Sequence, residues 1–318
     1  NTLMALLKKV DADLGVPRGL QAVYAAIILQ PETLFRLEGT GESDEEGLVA
    51  LSRRELATSL AFALTDLPPD SNMLRAFENE ELPPREIIRT ETRRLLDDEK
   101  RPTARNRLLQ FFQEYFDYEK AEDVFKDQVQ GHKHWAPALV YDLNALVTHV
   151  LKQDKQVLKT LLTTREYLVY VNSHRDHGNP LVYNLPPDWK PSPKPHRFPE
   201  DQRMGVLTHP AWLVAHSTNF DNDPIRRGHW IRYKLLGGNV PDIPIDVDAK
   251  LPEEPTWTLR KRMHVTREEA CYKCHSKMNP LGLPFEIYDH YGRFRFDELD
   301  KPVDATSKIV NSGAPGVD

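Results

Sequence analysis

Both cysteines of the chain, Cys271 and Cys274, lie three residues apart, and His275 directly follows the second one. C-x-x-C-H is the spacing that attaches a c-type haem, in which two thioethers hold the porphyrin and the imidazole ligates the iron. The two sulfurs must reach neighbouring pyrrole rings while the imidazole approaches the iron, and a single helical turn achieves this. The motif therefore predicts one covalent haem c, with Cys271, Cys274 and His275 as its protein ligands.

Three other kinds of site use closely spaced cysteines. A structural zinc site takes four ligands, and it would need two of the scattered histidines because the chain has no second cysteine pair. A thioredoxin-like redox pair needs a βαβ setting and a helix N-terminus, and residues 255–270 show no strand pattern. A plain disulfide would close a very small loop. We prefer the haem, and these alternatives stay open.

Short motifs flank the cysteines on both sides. The chain carries RRGHW and LLGG before them and NPLGLPFEIYDHYGRFR after them. Together these motifs resemble the cytochrome c-like domain families of unknown function known from planctomycetes and some other bacteria. The matching residues are Arg226, Arg227, Gly228, Trp230, Leu235, Leu236 and Gly237, then Asn279, Pro280, Leu281, Gly282, Leu283, Glu286, Asp289, Gly292, Arg293 and Arg295. Asn279 departs from the aspartate that is usual at its position.

The first half of the chain resembles the helical companion domain of the same proteins. AAIILQPETLFRLEG is similar to the start of that domain, and LSRRELATSLAFALTDLPPDSNMLRA is similar to a later stretch, with Thr65 where an aromatic residue is common. The resemblance implies a haem-bearing protein located outside the cytoplasm. It implies no particular reaction, because the families have none assigned.

The residues after the cysteines suggest how a haem would be held. NPLG, at 279–282, predicts a turn that ends the haem-binding helix, with Gly282 free to adopt a positive φ. Arg293 and Arg295 are suited to the haem propionates, because guanidinium groups bind carboxylates in a bidentate manner. Ion pairs of these arginines with Glu286 or Asp289 are the alternative.

A second axial ligand of the iron requires another His or Met. Met278 is excluded because it lies three residues beyond His275 and shares its side of the helix. The candidates that remain are His264, Met263, His209, His216, His229, His290 and Met204. We predict His264, because the resembling families carry a His shortly before the motif and a helix starting at Thr266 would fold the chain back across the haem. A solvated histidine among basic neighbours is the alternative.

Two histidine clusters could bind metal, although histidines in loops are usually solvated. They are His132 with His134, and His174 with Asp176 and His177. The stretch NFDNDP has the oxygen-rich spacing of a calcium site but lacks the Gly and terminal Glu of a calcium loop. We therefore predict that Asp223 caps a helix that starts at Pro224.

Hydrophobic periodicity predicts a mostly α-helical fold. In the first part, Ser52 and Glu55 form a capping box ahead of Leu56, Leu60 and Leu64 at helical spacing. We divide the chain into a helical domain at 1–165, a proline-rich linker or belt at 166–200, and a c-type haem-binding domain at 201–318. The last of these combines irregular, proline-rich segments with helices. Seven prolines between residues 179 and 199 exclude a regular helix there.

The net charge of −6 over 318 residues gives no polyelectrolyte signal, so nucleic acid is not an expected partner. The sequence contains no run long enough for a membrane helix. NTLMALLKKV lacks the pattern of an export signal. The sequence opens in what reads as the middle of a helix and stops at SGAPGVD without a clear ending, so we expect a processed chain or a segment of a longer polypeptide. We predict electron transfer in an extracytoplasmic assembly, with redox partner proteins or further subunits. The alternatives are a haem enzyme of peroxidase or oxygenase type with an open distal position, or a structural scaffold.

Overall fold

A computed structural model describes residues 2–35, 38–39, 43–127, 134–170, 182–186, 189–190, 192–240 and 250–309. The described residues are mostly helical, which confirms the predicted fold class. The chain forms two compact units, residues 1–107 and 108–318. None of the described helices is both long and apolar enough to cross a bilayer.

The first unit is built from helices around a small apolar core. The helices are α1 (Thr2–Leu14), α2 (Val16–Ile28), α3 (Pro31–Leu34), α4 (Arg53–Thr65), α5 (Ser71–Glu78), α6 (Pro84–Leu96) and the start of α7 (Thr103–Phe116). Ser52 caps α4 as predicted: its hydroxyl accepts from the Glu55 amide, and the Glu55 carboxylate accepts from the Ser52 amide at 2.7 Å. The buried residues are Ala57, Ala61, Met73, Phe77 and Ile87.

The second unit adds longer irregular stretches to its helices. Its helices are the rest of α7, α8 (Ala136–Gln153), α9 (Val157–Thr163), α10 (Pro210–Ala215), α11 (Pro224–Trp230), α12 (Leu259–Arg262) and α13 (Glu269–Gly282). Short 3-10 turns span Tyr118–Glu122, Val206–Thr208, Met263–Arg267 and Leu283–Ile287, and a π-helical turn extends α11 over Ile231–Leu235. Asp223 caps α11 as predicted, accepting from the amide of Arg226 at 2.8 Å.

Two short antiparallel ladders complete the second unit. β1 (Glu166–Tyr167) pairs with β2 (His196–Arg197), and β3 (Asp297–Glu298) pairs with β4 (Lys301–Pro302). The first ladder joins residues near the two ends of the predicted 166–200 belt, so the belt starts and finishes at one place in the unit.

One continuous core runs through the second unit. Phe116 and Leu139, from the predicted helical domain, are buried in the same cluster as Trp212 and Tyr288, from the predicted haem-binding domain. The compact units therefore do not coincide with the predicted boundaries near residues 165 and 200. The reason is physical, because the apolar faces of α7 and α8 are covered by the later helices. The division into sequence domains stays a prediction.

Candidate functional site

The cysteine motif lies in the first two turns of α13. Cys271 and His275 are four residues apart and share a face of the helix, and Cys274 lies on the adjoining flank. All three side chains are half-buried, and both thiols are free rather than joined in a disulfide. The three side chains that the haem interpretation needs are therefore brought together on one short helical surface.

A directional chain of hydrogen bonds orients the His275 ring. The Met263 carbonyl can only accept, so the Thr266 hydroxyl donates to it at 2.7 Å and must in turn accept from Asn279 Nδ2 at 2.8 Å. The amide oxygen of Asn279 then faces His275 Nδ1 at 3.0 Å. Because that oxygen only accepts, Nδ1 carries the proton, and Nε2 keeps its lone pair for a metal.

A cavity of about 450 Å³ adjoins His275. Residues at helical spacing along α13 form one wall, and the segment after β4 contributes to another. The lining residues are Arg260, Thr266, Arg267, Tyr272, His275, Ser276, Asn279, Pro280, Leu283, Ser307 and Lys308. Its size falls within the range of about 300–1,000 Å³ that is typical of cofactor and ligand sites. The cavity therefore has one imidazole, three basic side chains and no carboxylate among the described residues that line it.

Two glycines let α11 and α13 approach closely. A Cβ on Gly228 would overlap the carbonyl oxygen of Met278, and a Cβ on Gly282 would overlap that of Pro224. α13 ends at Gly282, as the NPLG stretch predicted, but residues 279–282 are helical rather than a turn, and the φ of Gly282 is −95° rather than positive. Gly282 is needed for the close approach of two backbones and not for a positive φ.

Arg227 is a structural residue that the sequence analysis missed, since paired arginines are usually solvated. Its side chain is fully buried and donates to the carbonyl oxygens of Leu213 at 2.9 Å, His216 at 3.2 Å and Phe285 at 3.3 Å. Burial lowers its pKa to about 10. Arg227 thus connects the end of α10 to the segment that follows α13. The sequence signal for this role is its position next to Gly228 in the RRG motif.

The two predicted propionate ligands lie elsewhere in the second unit. Arg293 binds Asp289 at 2.6 Å. Arg295 donates to the backbone oxygen of Glu286 at 3.0 Å and lies between the carboxylates of Glu286 and Glu298 at 4.0 and 3.8 Å. Neither arginine lines the cavity beside His275. The ion pairs named as the alternative are therefore present in the structure.

His264, the predicted distal ligand, is exposed and does not line the cavity. Its Nδ1 donates to the carbonyl of Lys261 at 3.0 Å, and its ring meets the edge of Trp257 at 5.7 Å. The structure does not bring His264 to His275, and its ligand role stays a prediction.

Two other distal candidates have structural contacts of their own. His209 is fully buried, and both of its ring nitrogens are engaged, one by the Ala211 amide at 3.2 Å and one by the Tyr183 hydroxyl at 3.1 Å. The ring of His216 stacks on Trp212 at 4.4 Å. Burial lowers the pKa of both histidines, and neither lines the cavity.

The remaining predicted clusters give no metal site in the part of the chain that the structure describes. His132, His174, Asp176 and His177 lie outside the described residues, and His134 packs against Tyr291 with ring centroids 5.7 Å apart. Among the described residues, no group of three or more His, Cys, Asp or Glu side chains could hold a metal ion. Cys271 does lie in the first turn of a helix, as a redox pair requires, but the described strands form only antiparallel pairs and no βαβ unit around it.

Two segments of the chain match models of known families. Residues 203–298 match the family described as "Protein of unknown function (DUF1588)", and residues 51–174 match the family described as "Protein of unknown function (DUF1592)". No curated protein and no solved structure matches the chain significantly. Both families are typical of planctomycete cytochrome c-like proteins. The chain therefore carries a segment similar to each of these two families of unknown function, in the order that the sequence resemblance predicts.

Proposed function

We propose that the chain is a c-type haem protein that transfers electrons, with Cys271 and Cys274 as the thioether residues and His275 as the proximal ligand. The observation that carries the proposal is the hydrogen-bond chain from Met263 to His275. It fixes the imidazole as the Nδ1–H tautomer, which is the form that offers Nε2 to iron. A solvated surface histidine has no need of such an arrangement.

The residues fit the group on their chemistry. Two free thiols and an imidazole of fixed tautomer share the start of one helix, whereas neither cysteine is among the described residues that line the cavity beside the imidazole. A bound haem supplies one-electron redox chemistry, with a potential that depends on its axial ligands and surroundings. The protein's part is to hold the haem covalently and to keep the His275 ring in one orientation. The close packing of α13 against α11 at Gly228 and Gly282 fixes the position of the helix that carries His275.

Electron transfer also implies partners and a location. Thioether attachment by cytochrome c maturation takes place outside the cytoplasmic membrane, so we propose an extracytoplasmic protein. A haem that only carries electrons needs a donor and an acceptor, so we propose that redox proteins or further subunits dock to the chain. The family matches support a cytochrome c-like protein at the level of the domains and do not name a reaction.

Expression in the periplasm of a host with a c-type maturation system tests the proposal. The purified chain is expected to keep its haem after acid–acetone treatment, to give a pyridine haemochrome spectrum and to gain the mass of one haem. Cys271→Ala and Cys274→Ala should each lose one thioether, and His275→Ala should lose the proximal ligand. A colourless wild-type chain that binds stoichiometric zinc would disprove the proposal.

A further inference from the structure

The cavity beside His275 does not reach the two cysteines. Its wall on α13 includes Tyr272, His275 and Ser276. Cys271 and Cys274 are not among the described residues that line it, and most of the side chains that do line it are polar. A haem held by those cysteines does not fit such a lining. The cavity therefore suits a different, polar ligand.

Three cations from different parts of the second unit line this cavity. Arg260 lies in α12, Arg267 ends the 3-10 turn that follows it, and Lys308 lies beyond β4. The described residues that line the cavity include no Asp or Glu. Because like charges repel one another, three cations around one space favour an anion within it.

Two of these cations have charged groups that no described residue neutralises. Elsewhere in the unit arginines pair with carboxylates, as Arg262 does with Asp221 at 2.6 Å. Arg267 and Lys308 are exposed at the cavity, and neither forms a hydrogen bond or an ion pair with a residue that the structure describes. Both groups can therefore bind a ligand without first giving up a described partner.

One carboxylate lies close to these cations, outside the cavity lining. Asp304 is 3.4 Å from Nη2 of Arg260. Hydrogen bonds from Thr306, followed by the charges of Arg260 and Arg267, hold the pKa of Asp304 below its ordinary value. Arg260 and Arg267 therefore act on the same small region, where one negative charge offsets only part of the positive charge.

We propose that this cavity binds a small organic phosphate monoester. Its phosphate carries about two negative charges at pH 7 and three strong acceptor oxygens, and guanidinium groups bind phosphate in a bidentate manner. Arg267 and Lys308 would bind the phosphate, and Arg260 adds a third positive charge. A volume of about 450 Å³ leaves room for more than the phosphate, and the hydroxyl groups of Ser276 and Ser307 suit a hydroxylated remainder.

Isothermal titration calorimetry of the purified full chain tests the proposal. The probes are glucose 6-phosphate, inorganic phosphate and glucose. We expect glucose 6-phosphate to bind more tightly than inorganic phosphate, because it also fills the hydroxyl-lined part of the cavity, and we expect glucose alone not to bind. The affinity for glucose 6-phosphate should fall as the salt concentration rises, because Arg267 and Lys308 are exposed.

Four variants assign the binding to these residues. Arg267→Gln and Lys308→Gln change exposed side chains, so both should fold, and each should raise the Kd for glucose 6-phosphate by about tenfold or more. Asp304→Asn removes the competing negative charge and should lower the Kd. Lys273→Gln is the matched control, since Lys273 is exposed on α13 but does not line the cavity, and it should bind as the wild type does.

Three results would overturn the proposal. One is a wild type that binds neither phosphate probe. A second is a Lys273→Gln variant that loses as much affinity as Arg267→Gln and Lys308→Gln, because the attraction would then come from surface charge in general. A third is equal affinity for inorganic phosphate and glucose 6-phosphate, which would overturn the assignment of an organic ester.

The same titration on the haem-loaded chain separates this site from the haem. Unchanged affinity for glucose 6-phosphate supports a separate site, whereas loss of binding on haem attachment would overturn it. The proposal does not depend on the proposed function: a chain without covalent haem disproves electron transfer by haem and leaves the phosphate titration to be decided on its own result.

Discussion

His275 Nδ1 lies 3.0 Å from the side-chain oxygen of Asn279, at a position where the resembling families usually have aspartate. A carboxylate there would draw the Nδ1 proton and make the imidazole a stronger electron donor, whereas an amide oxygen is neutral. We therefore expect Asn279→Asp to lower the reduction potential of the haem, since a more electron-rich ligand favours the ferric state. Spectroelectrochemical titration at one pH measures the change.

Thr266→Val provides a control for that substitution. It removes the hydroxyl that fixes the Asn279 amide at 2.8 Å but adds no charge. We expect it to shift the potential less than Asn279→Asp does and to broaden the distribution of His275 orientations in the electron paramagnetic resonance spectrum. Equal potentials in wild type and Asn279→Asp would show that this contact does not tune the iron.

The helices, and the position of Cys271, Cys274 and His275 together on one of them, could be predicted from the sequence because their signals are local. A capping box at Ser52, a cap at Asp223 and the C-x-x-C-H spacing each lie within one or two turns of chain. The partner of Asn279 is Thr266, 13 residues earlier, and the chain has to fold before the two can meet. The backbone partner of Arg260, the Thr306 carbonyl, likewise lies 46 residues away along the chain.

Long-range packing also explains why NPLG is helical rather than a turn and why Arg227 is buried. The sequence Asn-Pro-Leu-Gly favours a turn locally, but the close contact with α11 keeps these residues helical. The pair Arg226–Arg227 looks solvated, but the carbonyl groups exposed at the end of α10 need donors, and Arg227 supplies them. Neither contact produces a periodic pattern in the sequence from which it could be predicted.

Gly228→Ala should destabilise the second unit strongly. Its new methyl group would overlap the backbone oxygen of Met278, and backbone in a helix cannot move aside as a side chain can. We expect a loss of about 3 kcal/mol or more in the free energy of unfolding, measured by urea titration with tryptophan fluorescence.

Gly237→Ala is the matched control for Gly228→Ala. A Cβ at Gly237 meets no atom of the described residues within 4 Å, so the obstacle that these residues show to the substitution is the positive φ of 61°. That backbone strain should cost about 1–2 kcal/mol. If Gly228→Ala and Gly237→Ala lose similar amounts of unfolding free energy, the close approach of α11 and α13 at Gly228 does not contribute to stability as we expect.

Glu286 should make the stability of the second unit depend on pH. Burial raises the pKa of Glu286 to about 7 from its ordinary 4.5, although Arg295 opposes the shift. The folded state therefore holds this proton more tightly than the unfolded state, and the free energy of unfolding should fall as the pH rises from about 4.5 to about 7. Glu286→Gln keeps an acceptor for Asn222, which donates to the Glu286 carboxylate at 2.8 Å, and should remove that decline.

Thermal unfolding at several pH values between 4 and 8 measures this effect of Glu286. The stability of Glu286→Gln relative to the wild type should increase steadily as the pH rises from about 4.5 to about 7. The stability of Glu253→Gln, at an exposed position, should change with pH as that of the wild type does. A difference between Glu286→Gln and the wild type that is the same at every pH would contradict the assignment.

The spin state of the ferric protein decides whether His264 is the distal ligand. Its Nδ1 donates to the Lys261 carbonyl, so its Nε2 has a free lone pair, but the ring lies outside the cavity beside His275. Ligation would therefore require the segment that carries it to move when haem binds. If His264 ligates the iron, the ferric wild type should be six-coordinate and low-spin. The His264→Ala variant should then become high-spin and bind cyanide or carbon monoxide. A variant that stays low-spin transfers the role to another residue. A wild type that is already high-spin has an open distal position and favours the haem enzyme over electron transfer.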